Sequence, residues 1–224
     1  MLSVVIPTLN AAAGLPATLA CVRDGAASIE EIIVSDGGSS DATIPLAETA
    51  GCRIVVGPRG RGAQLAAGAA SASGRWLLFL HADTRLAPGW PAAVRAFCDG
   101  AANASRAGYF RLALDDTAAA ARRLERLVAW RCRWLALPYG DQGLLIRAET
   151  YRAVGGFAPL PLMEDVDLVR RLGRARLVEL PATALTSAAR YRRDGYWLRP
   201  VRNLACLGLY FAGLPPHRLA RLYG

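Results

Sequence analysis

The chain has 224 residues, is 53% hydrophobic, and carries 27 basic against 18 acidic residues for a net charge of +9. That length and apolar share give the core of one α/β domain. The five Cys, scattered and without Cys-x-x-Cys spacing, exclude a disulfide frame or zinc site and suggest buried thiols in a reducing cytoplasm. All 27 basic residues are Arg, which favours planar, bidentate contacts to phosphate and carboxylate. Residues 1–100 hold 7 Arg against 8 acids, whereas residues 101–224 hold 20 against 10, so the second half is suited to an anionic partner.

Leu2–Ile6 reads as a β-branched strand stopped by Pro7, with Thr8, Leu9 and Asn10 looping into a helix over 13–23. No basic leader or cleavage site precedes it, so no signal peptide is expected. Ile29–Ser35 is a second strand running into Asp36–Gly37–Gly38–Ser39–Ser40–Asp41, where the glycines allow a tight turn and Ser40 or Asp41 can cap the next helix. Arg53–Val56 is a third strand, followed by the loop Gly57–Pro58–Arg59–Gly60–Arg61–Gly62 and an alanine-rich helix. Arg75–Leu80 is a fourth, buried strand that ends in His81–Ala82–Asp83–Thr84.

Strands and helices alternating at this spacing predict a mostly parallel, doubly wound sheet with helices on both faces. Ligands of such sheets sit beyond the carboxyl ends of the strands. Right-handed crossovers would set Asp36 and Asp83 on that edge beside Thr8 and the Gly/Arg loop, a set of groups suited to a nucleotide.

Further on, Tyr109–Leu114 alternates like a strand, and Thr117–Leu137 is an arginine-lined helix. Gly143–Arg147 is a short strand after Gly140–Asp141–Gln142, and a helix over Met163–Arg174 opens with Glu164–Asp165–Val166–Asp167. Tyr196–Leu214 is an amphipathic helix with aromatic residues; its longest apolar run, Leu204–Leu214, is too short to span a bilayer.

Five pieces in this order resemble a family 2 glycosyltransferase of GT-A fold: Ser3–Asn10, Glu31–Thr43, Ala72–Asp83, Val154–Gly155–Gly156–Phe157 and Glu164–Leu168. The chain is also similar to a compact bacterial subgroup of that family with a His-Ala-Asp-Thr acid motif. The resemblance implies a GT-A catalytic domain over residues 1–190, with a donor half (1–100), an acceptor half (101–190) and a helical tail (191–224). It implies a nucleotide-diphosphate sugar, expected to be a UDP-sugar, held by Pro7, Thr8, Asn10 and Asp36 at the nucleoside and by Gly60, Arg61 and Asp83 at the phosphates. A carboxylate at Asp36 can accept the imide N–H of uracil, and the bland alternative is a turn residue.

Asp83 matches the second acid of the family's Asp-x-Asp motif and would hold Mg²⁺ or Mn²⁺ against the diphosphate. His81 replaces the first acid, leaving ribose contact, metal contact or neither open. The family's Arg-Asn pair is absent from the following helix, which leaves Arg61 or Gln64 as the replacement. By the resemblance Asp165 is the base of an inverting transfer, with Glu164 positioning acceptor or helix; first-turn acids answering a helix dipole are the alternative. Asp141 and Gln142 fall where the family lines its acceptor cleft.

Arg190, Arg192 and Arg193 stand where processive relatives carry Gln-x-x-Arg-Trp, so one sugar per encounter is expected. The acceptor the resemblance implies is a hydroxyl compound, with a lipid phosphate, a small metabolite and a protein among the options, so it is expected to be phosphorylated or lipid-linked in some of them. The enzyme is expected in the cytoplasm, with the tail able to reach the inner face of the membrane. A sugar-phosphate nucleotidyltransferase, which would want a Gly-rich loop with Arg and Lys after the first strand, and a basic membrane or nucleic-acid binding module are the competing readings. The second-half charge and the Arg/aromatic tail support the latter.

Overall fold

The computed structural model describes residues 1–223 and, within them, the side chains of all but residues 26, 190 and 223; the expectation for Arg190 therefore lies outside the described residues. The strands are β1 (Leu2–Thr8), β2 (Ile29–Asp36), β3 (Arg53–Val56), β4 (Trp76–Phe79), β5 (Thr84–Leu86), β6 (Ala107–Leu114), β7 (Leu144–Arg147) and β8 (Leu177–Thr186). They form one sheet in the order β3-β2-β1-β4-β7-β6-β8-β5. β3, β2, β1 and β4 run parallel, β7 is antiparallel to both β4 and β6, β8 is parallel to β6, and β5 closes the far edge antiparallel to β8. The expected mostly parallel α/β sheet is therefore present, with the inversion confined to β7 and β5.

β1 passes through Pro7 and ends at Thr8, two residues beyond the expected stop. The register explains why proline is tolerated. The Val5 carbonyl faces β4 and accepts from Leu80 N–H, whereas the Thr8 carbonyl faces β2 and accepts from Gly37 N–H. Pro7 shares the orientation of Val5, on a side where β4 has already ended at Phe79, so no ladder donor is lost.

β1 and β4 are buried on both faces. Val4, Ile6, Leu78 and Leu80 enter one core cluster with Leu15, Leu19 and Trp90, while Val5, Leu77 and Phe79 enter another with Leu65, Tyr151 and Phe157. This two-sided burial is why these segments read as continuous apolar runs without alternation.

The helices are α1 (Leu15–Arg23), α2 (Thr43–Thr49), α3 (Arg61–Ser71), α4 (Trp90–Asp99), α5 (Ala119–Leu135), α6 (Ala148–Ala153), α7 (Glu164–Leu172), α8 (Ala189–Asp194), α9 (Leu198–Phe211) and α10 (Pro216–Tyr223). α5 lays Leu124, Val128 and Cys132 over Tyr109, Leu112 and Leu114 of β6. Cys206 and Leu207 of α9 and Leu219 of α10 pack with Leu137, Met163, Val166 and Val169 around α7. The expected amphipathic tail helix thus has its inner face against the segment that carries Glu164 and Asp165. The five thiols are free; burial pushes Cys21, Cys52, Cys98 and Cys132 upward, Cys98 to about 11, so they are poor nucleophiles at neutral pH.

Candidate active site

The loops after β1 and β2 are joined by side chain to backbone bonds. Asn10 adopts a left-handed backbone (φ 51°) that asparagine tolerates well. Its N–H donates to Ser39 Oγ (2.8 Å), and its Oδ1 accepts from Ser40 N–H (2.8 Å). Neither Ser40 nor Asp41 is the N-cap of the next helix; that residue is Ala42, without a side-chain cap. Asp41 instead forms an Asx turn one residue earlier, accepting from Thr43 N–H (3.0 Å), and also accepts from Ala12 N–H (3.0 Å).

Asp36 is fully buried. Its Oδ1 accepts from Gly38 N–H (2.8 Å) and Ser39 N–H (2.7 Å), and its Oδ2 accepts from the hydroxyls of Thr8 (2.8 Å) and Ser39 (2.5 Å). Burial alone would raise this carboxyl, but the donors from Ser39, Thr8 and Gly38 more than offset it and hold the group below the usual range. Four donors fill the acceptor capacity of a carboxylate. A base N–H would have to displace one of them. Thr8 and Pro7 are buried beneath this turn. Gln64 is buried as well and ties the two strand ends together, its amide donating to the Thr8 and Ser35 carbonyls. It faces backbone there, which leaves Arg61 as the phosphate-side candidate.

Arg61 opens α3 after Gly60, whose φ of 132° suits glycine. Gly62, next along, lies against the backbone at 158–160: a Cβ there would stand 2.4 Å from the Ala158 carbonyl oxygen, so only glycine lets α3 approach that closely. The Arg61 guanidinium bonds to the Glu164 carboxylate, which is 1% exposed, and its basicity is raised by Glu164, Asp165 and Asp141 in spite of burial. Glu164 is shifted upward by burial and by Asp165, with Arg61 opposing.

The N-cap of α7 is Met163, a non-glycine residue in the left-handed region (φ 66°), and the C-cap of α5 is Ala136 in the same region (φ 54°). Met163 directly precedes the acids Glu164 and Asp165. Asp165 lies at the second position of α7. Its Oδ1 accepts from Val166 N–H (2.7 Å) and its Oδ2 from Gly140 N–H (2.8 Å), which fixes the carboxylate's direction. Gly140 packs on His81 so closely that a Cβ would stand 2.6 Å from the imidazole Nε2. His81 therefore supports the turn that orients Asp165.

Arg61, His81, Asp83, Asp141 and Asp165 all line one cleft of about 320 Å³. Asp36 does not line it: it ends β2, with β1 between that strand and β4. Asp141 Oδ1 is a buried oxygen with no hydrogen-bond partner among the described residues. Its carboxyl is raised by burial first and then by Asp165 and Asp83, against the lowering pull of Arg131 and Arg61. The unpartnered Asp141 oxygen, with the Asp83 and Asp165 carboxylates lining the same cleft, offers oxygen donors of the kind that suit Mg²⁺ or Mn²⁺. Among the described residues no group of three or more His, Cys, Asp or Glu side chains is arranged to hold a metal ion unaided. A donor phosphate would have to complete the coordination.

Gln142 takes a different place from the one expected. It is buried, donates to the Phe110 carbonyl (3.0 Å), and accepts from Arg131 (3.2 Å), Cys132 (3.1 Å) and Tyr139 N–H (3.3 Å). It shapes the turn that presents Asp141 and does not reach the cleft. Sequence reasoning missed Tyr139, whose ring lines the cleft under the Arg131 guanidinium (3.4 Å), and Thr186, whose hydroxyl donates to the Asp141 carbonyl (3.0 Å). Tyr139 adjoins the Gly140–Asp141 motif and was within reach; Thr186 arrives by the β5–β8 pairing, which leaves no local signal. Tyr191 also lines the cleft and stacks on Tyr196 (5.7 Å), while Arg192 pairs outward with Asp115 and Asp116.

The crowding at Asp141 gives a testable consequence. A carboxyl raised in the native state binds its proton more tightly than in the unfolded chain, so its contribution to stability falls as pH rises through and above the ordinary carboxylate range. Asp141→Asn should therefore raise the melting temperature at pH 7–8, on the order of 2 °C. The gain should vanish near pH 4, as read by thermal unfolding across pH.

Comparisons with known proteins bear on this cleft. Residues 3–156 match the family model described as glycosyl transferase family 2. A PGL/p-HBAD biosynthesis glycosyltransferase of Mycobacterium bovis is 38% identical over 93 residues, covering 38% of this chain and 36% of the relative. The match thus spans little more than a third of that relative's length. Staphylococcus aureus TarS superposes with a TM-score of 0.63 at 16% identity, over 97% of this chain and 41% of TarS. Mycobacterium tuberculosis glucosyl-3-phosphoglycerate synthase, in complex with Mn²⁺, UDP-glucose and phosphoglyceric acid, superposes with a TM-score of 0.54 at 22% identity, over 84% of this chain and 70% of the synthase. At these identities the structural likeness establishes the fold, which is GT-A.

Proposed function

This chain belongs to glycosyl transferase family 2, and from that premise we propose that it transfers a sugar, with inversion, from a UDP-sugar to an acceptor hydroxyl in a metal-dependent, non-processive reaction. The observation that carries the reading is the meeting of Asp83, Asp141, Asp165 and Arg61 at one cleft. The fold neighbour held with Mn²⁺ and UDP-glucose supports the donor class and the metal class.

In this reading the diphosphate lies by the Gly60–Arg61 start of α3, where backbone N–H groups and the guanidinium meet negative charge. Arg61 is held in place by Glu164. Asp83, with Asp141 near it, would hold Mg²⁺ or Mn²⁺, which when bound neutralises charge on the leaving diphosphate. Pro7, Thr8, Asn10 and Asp36 shape the nucleoside side, Asp36 as the hub of the turn. Asp165 accepts the proton of the acceptor hydroxyl as its oxygen bonds to the anomeric carbon. The bond from that carbon to the diphosphate breaks on the opposite face, and its electron pair leaves with UDP. Asp141 borders the acceptor side. Among the described residues no helix is long and apolar enough to cross a membrane. The proposed setting is the cytoplasm, where nucleotide sugars would be met.

The test is calorimetric titration of UDP with and without Mn²⁺. Affinity should depend on the ion and fall about tenfold or more in Asp83→Ala, the loss expected when one charged ligand goes. UDP binding that ignores both the ion and the substitution would overturn the metal-dependent reading.

A further inference from the structure

We propose that the acceptor is an amphiphile, a hydroxyl headgroup on an apolar body, and that the body lies in the groove between α5 and α9. This rests on the transferase reading and names its acceptor class. The cleft that ends at Asp83, Asp141 and Asp165 is walled on the way out by Leu127, Trp130 and Leu135 of α5 and Leu204 of α9. These four side chains are 59%, 56%, 49% and 66% exposed. Each helix spends one apolar face on the core, α5 over β6 and α9 over α7, and then turns further large apolar side chains to the cleft. Trp197, Leu198 and Val201, at the start of α9, are exposed as well.

A contiguous apolar surface of this kind marks a binding site more often than an accident of composition. The polarity of the groove is graded. Three carboxylates and Arg61 stand at the inner end, and large hydrocarbon and indole side chains stand at the outer end. A small polar acceptor would satisfy the inner end alone and leave the outer walls in water. An acceptor with its hydroxyl at Asp165 and hydrocarbon along α5 and α9 matches both ends, and burial of its apolar surface supplies the affinity. The volume, about 320 Å³, lies within the range of small-molecule pockets. The charge of α5 matches as well: Arg122, Arg123, Arg126 and Arg133 are exposed along it, which suits a body delivered from an anionic lipid or micelle surface, whereas both arginines of α9 pair with Asp194.

The experiment titrates the full chain with n-decyl β-D-glucopyranoside below its micelle concentration, with methyl β-D-glucopyranoside as the same headgroup without the body. UDP·Mn²⁺ is titrated in parallel. We expect saturable one-to-one binding of the decyl compound and at least tenfold weaker binding of the methyl one. Leu127→Asp and Leu204→Asp, both at exposed positions, should each weaken the decyl compound at least tenfold and leave UDP·Mn²⁺ affinity within twofold. Equal binding of the two glucosides, or variants that bind the decyl compound as the parent does, would overturn the proposal. Loss confined to UDP·Mn²⁺ in the parent protein would sink the donor reading and leave the amphiphile site standing. UDP·Mn²⁺ binding without amphiphile binding would sink this inference alone.

Discussion

Asp165→Asn is expected to lower sugar transfer by about two to four orders of magnitude, the range associated with losing a general base. UDP·Mn²⁺ affinity should stay close to the parent value. The substitution keeps the shape of the side chain, so the test isolates proton transfer from packing. It is not wholly silent in structure. Asp165 spends one oxygen on Val166 N–H and the other on Gly140 N–H. An amide nitrogen placed at either position faces a donor with a donor, and the cost is about 1–3 kcal/mol of stability. That cost would be read as a lower melting temperature and cannot by itself produce a hundredfold loss in turnover of folded enzyme. Turnover at the parent rate by folded Asp165→Asn would remove Asp165 from the role of base, and the helix-dipole explanation of the acidic first turn would then suffice.

The parallel half of the sheet and the acid-bearing strand ends were legible because each rests on local signals: β-branched runs, glycine turns, and an acid directly after a buried strand. The convergence of Asp83 and Asp165 was legible only through the family resemblance, since nothing local brings residues so far apart together. What escaped was mostly set by pairing. β8 contains Pro181, which reads as a strand breaker. The register between Tyr109↔Glu179 and Arg111↔Thr183 absorbs two extra residues around it, so the strand continues past a bulge. β5 is three residues long and exists because β8 lies beside it. Gln142 falls where the family lines its acceptor cleft, yet its amide is consumed by Phe110, Arg131 and Tyr139. Asp36 shows the same lesson from the other side: the turn-residue alternative accounts for its four hydrogen bonds, so a base N–H could reach it only by displacing one of them.

Arg61→Ala should be the most damaging single change to stability in the site. It removes the partner of a carboxylate that is 1% exposed while leaving that carboxylate in place. Breaking a buried pair costs about 3–5 kcal/mol, and the lower end applies because the guanidinium side of the pair is partly open to solvent. For a chain of this size about 3 kcal/mol is a fall of roughly 10 °C in melting temperature. The loss should depend on pH. Glu164 is already raised by burial and by Asp165, and Arg61 is the group that opposes the rise. Without Arg61 the native carboxyl holds its proton more tightly still, so the unfolded chain releases it first as pH rises from the ordinary carboxylate range near 4.3. Stability of the variant should therefore approach the parent's near pH 4–5 and diverge from it at pH 7–8. Adding Glu164→Gln should restore much of the loss at neutral pH, because the two sites are in contact and their effects do not add. A loss that is the same at every pH, or a double variant no more stable than Arg61→Ala alone, would show that the pair is not what holds α3 to α7. The double variant also separates the two roles of Arg61: with the buried charge gone and the fold recovered, UDP·Mn²⁺ affinity should remain weakened, since the cation that meets the diphosphate is still missing.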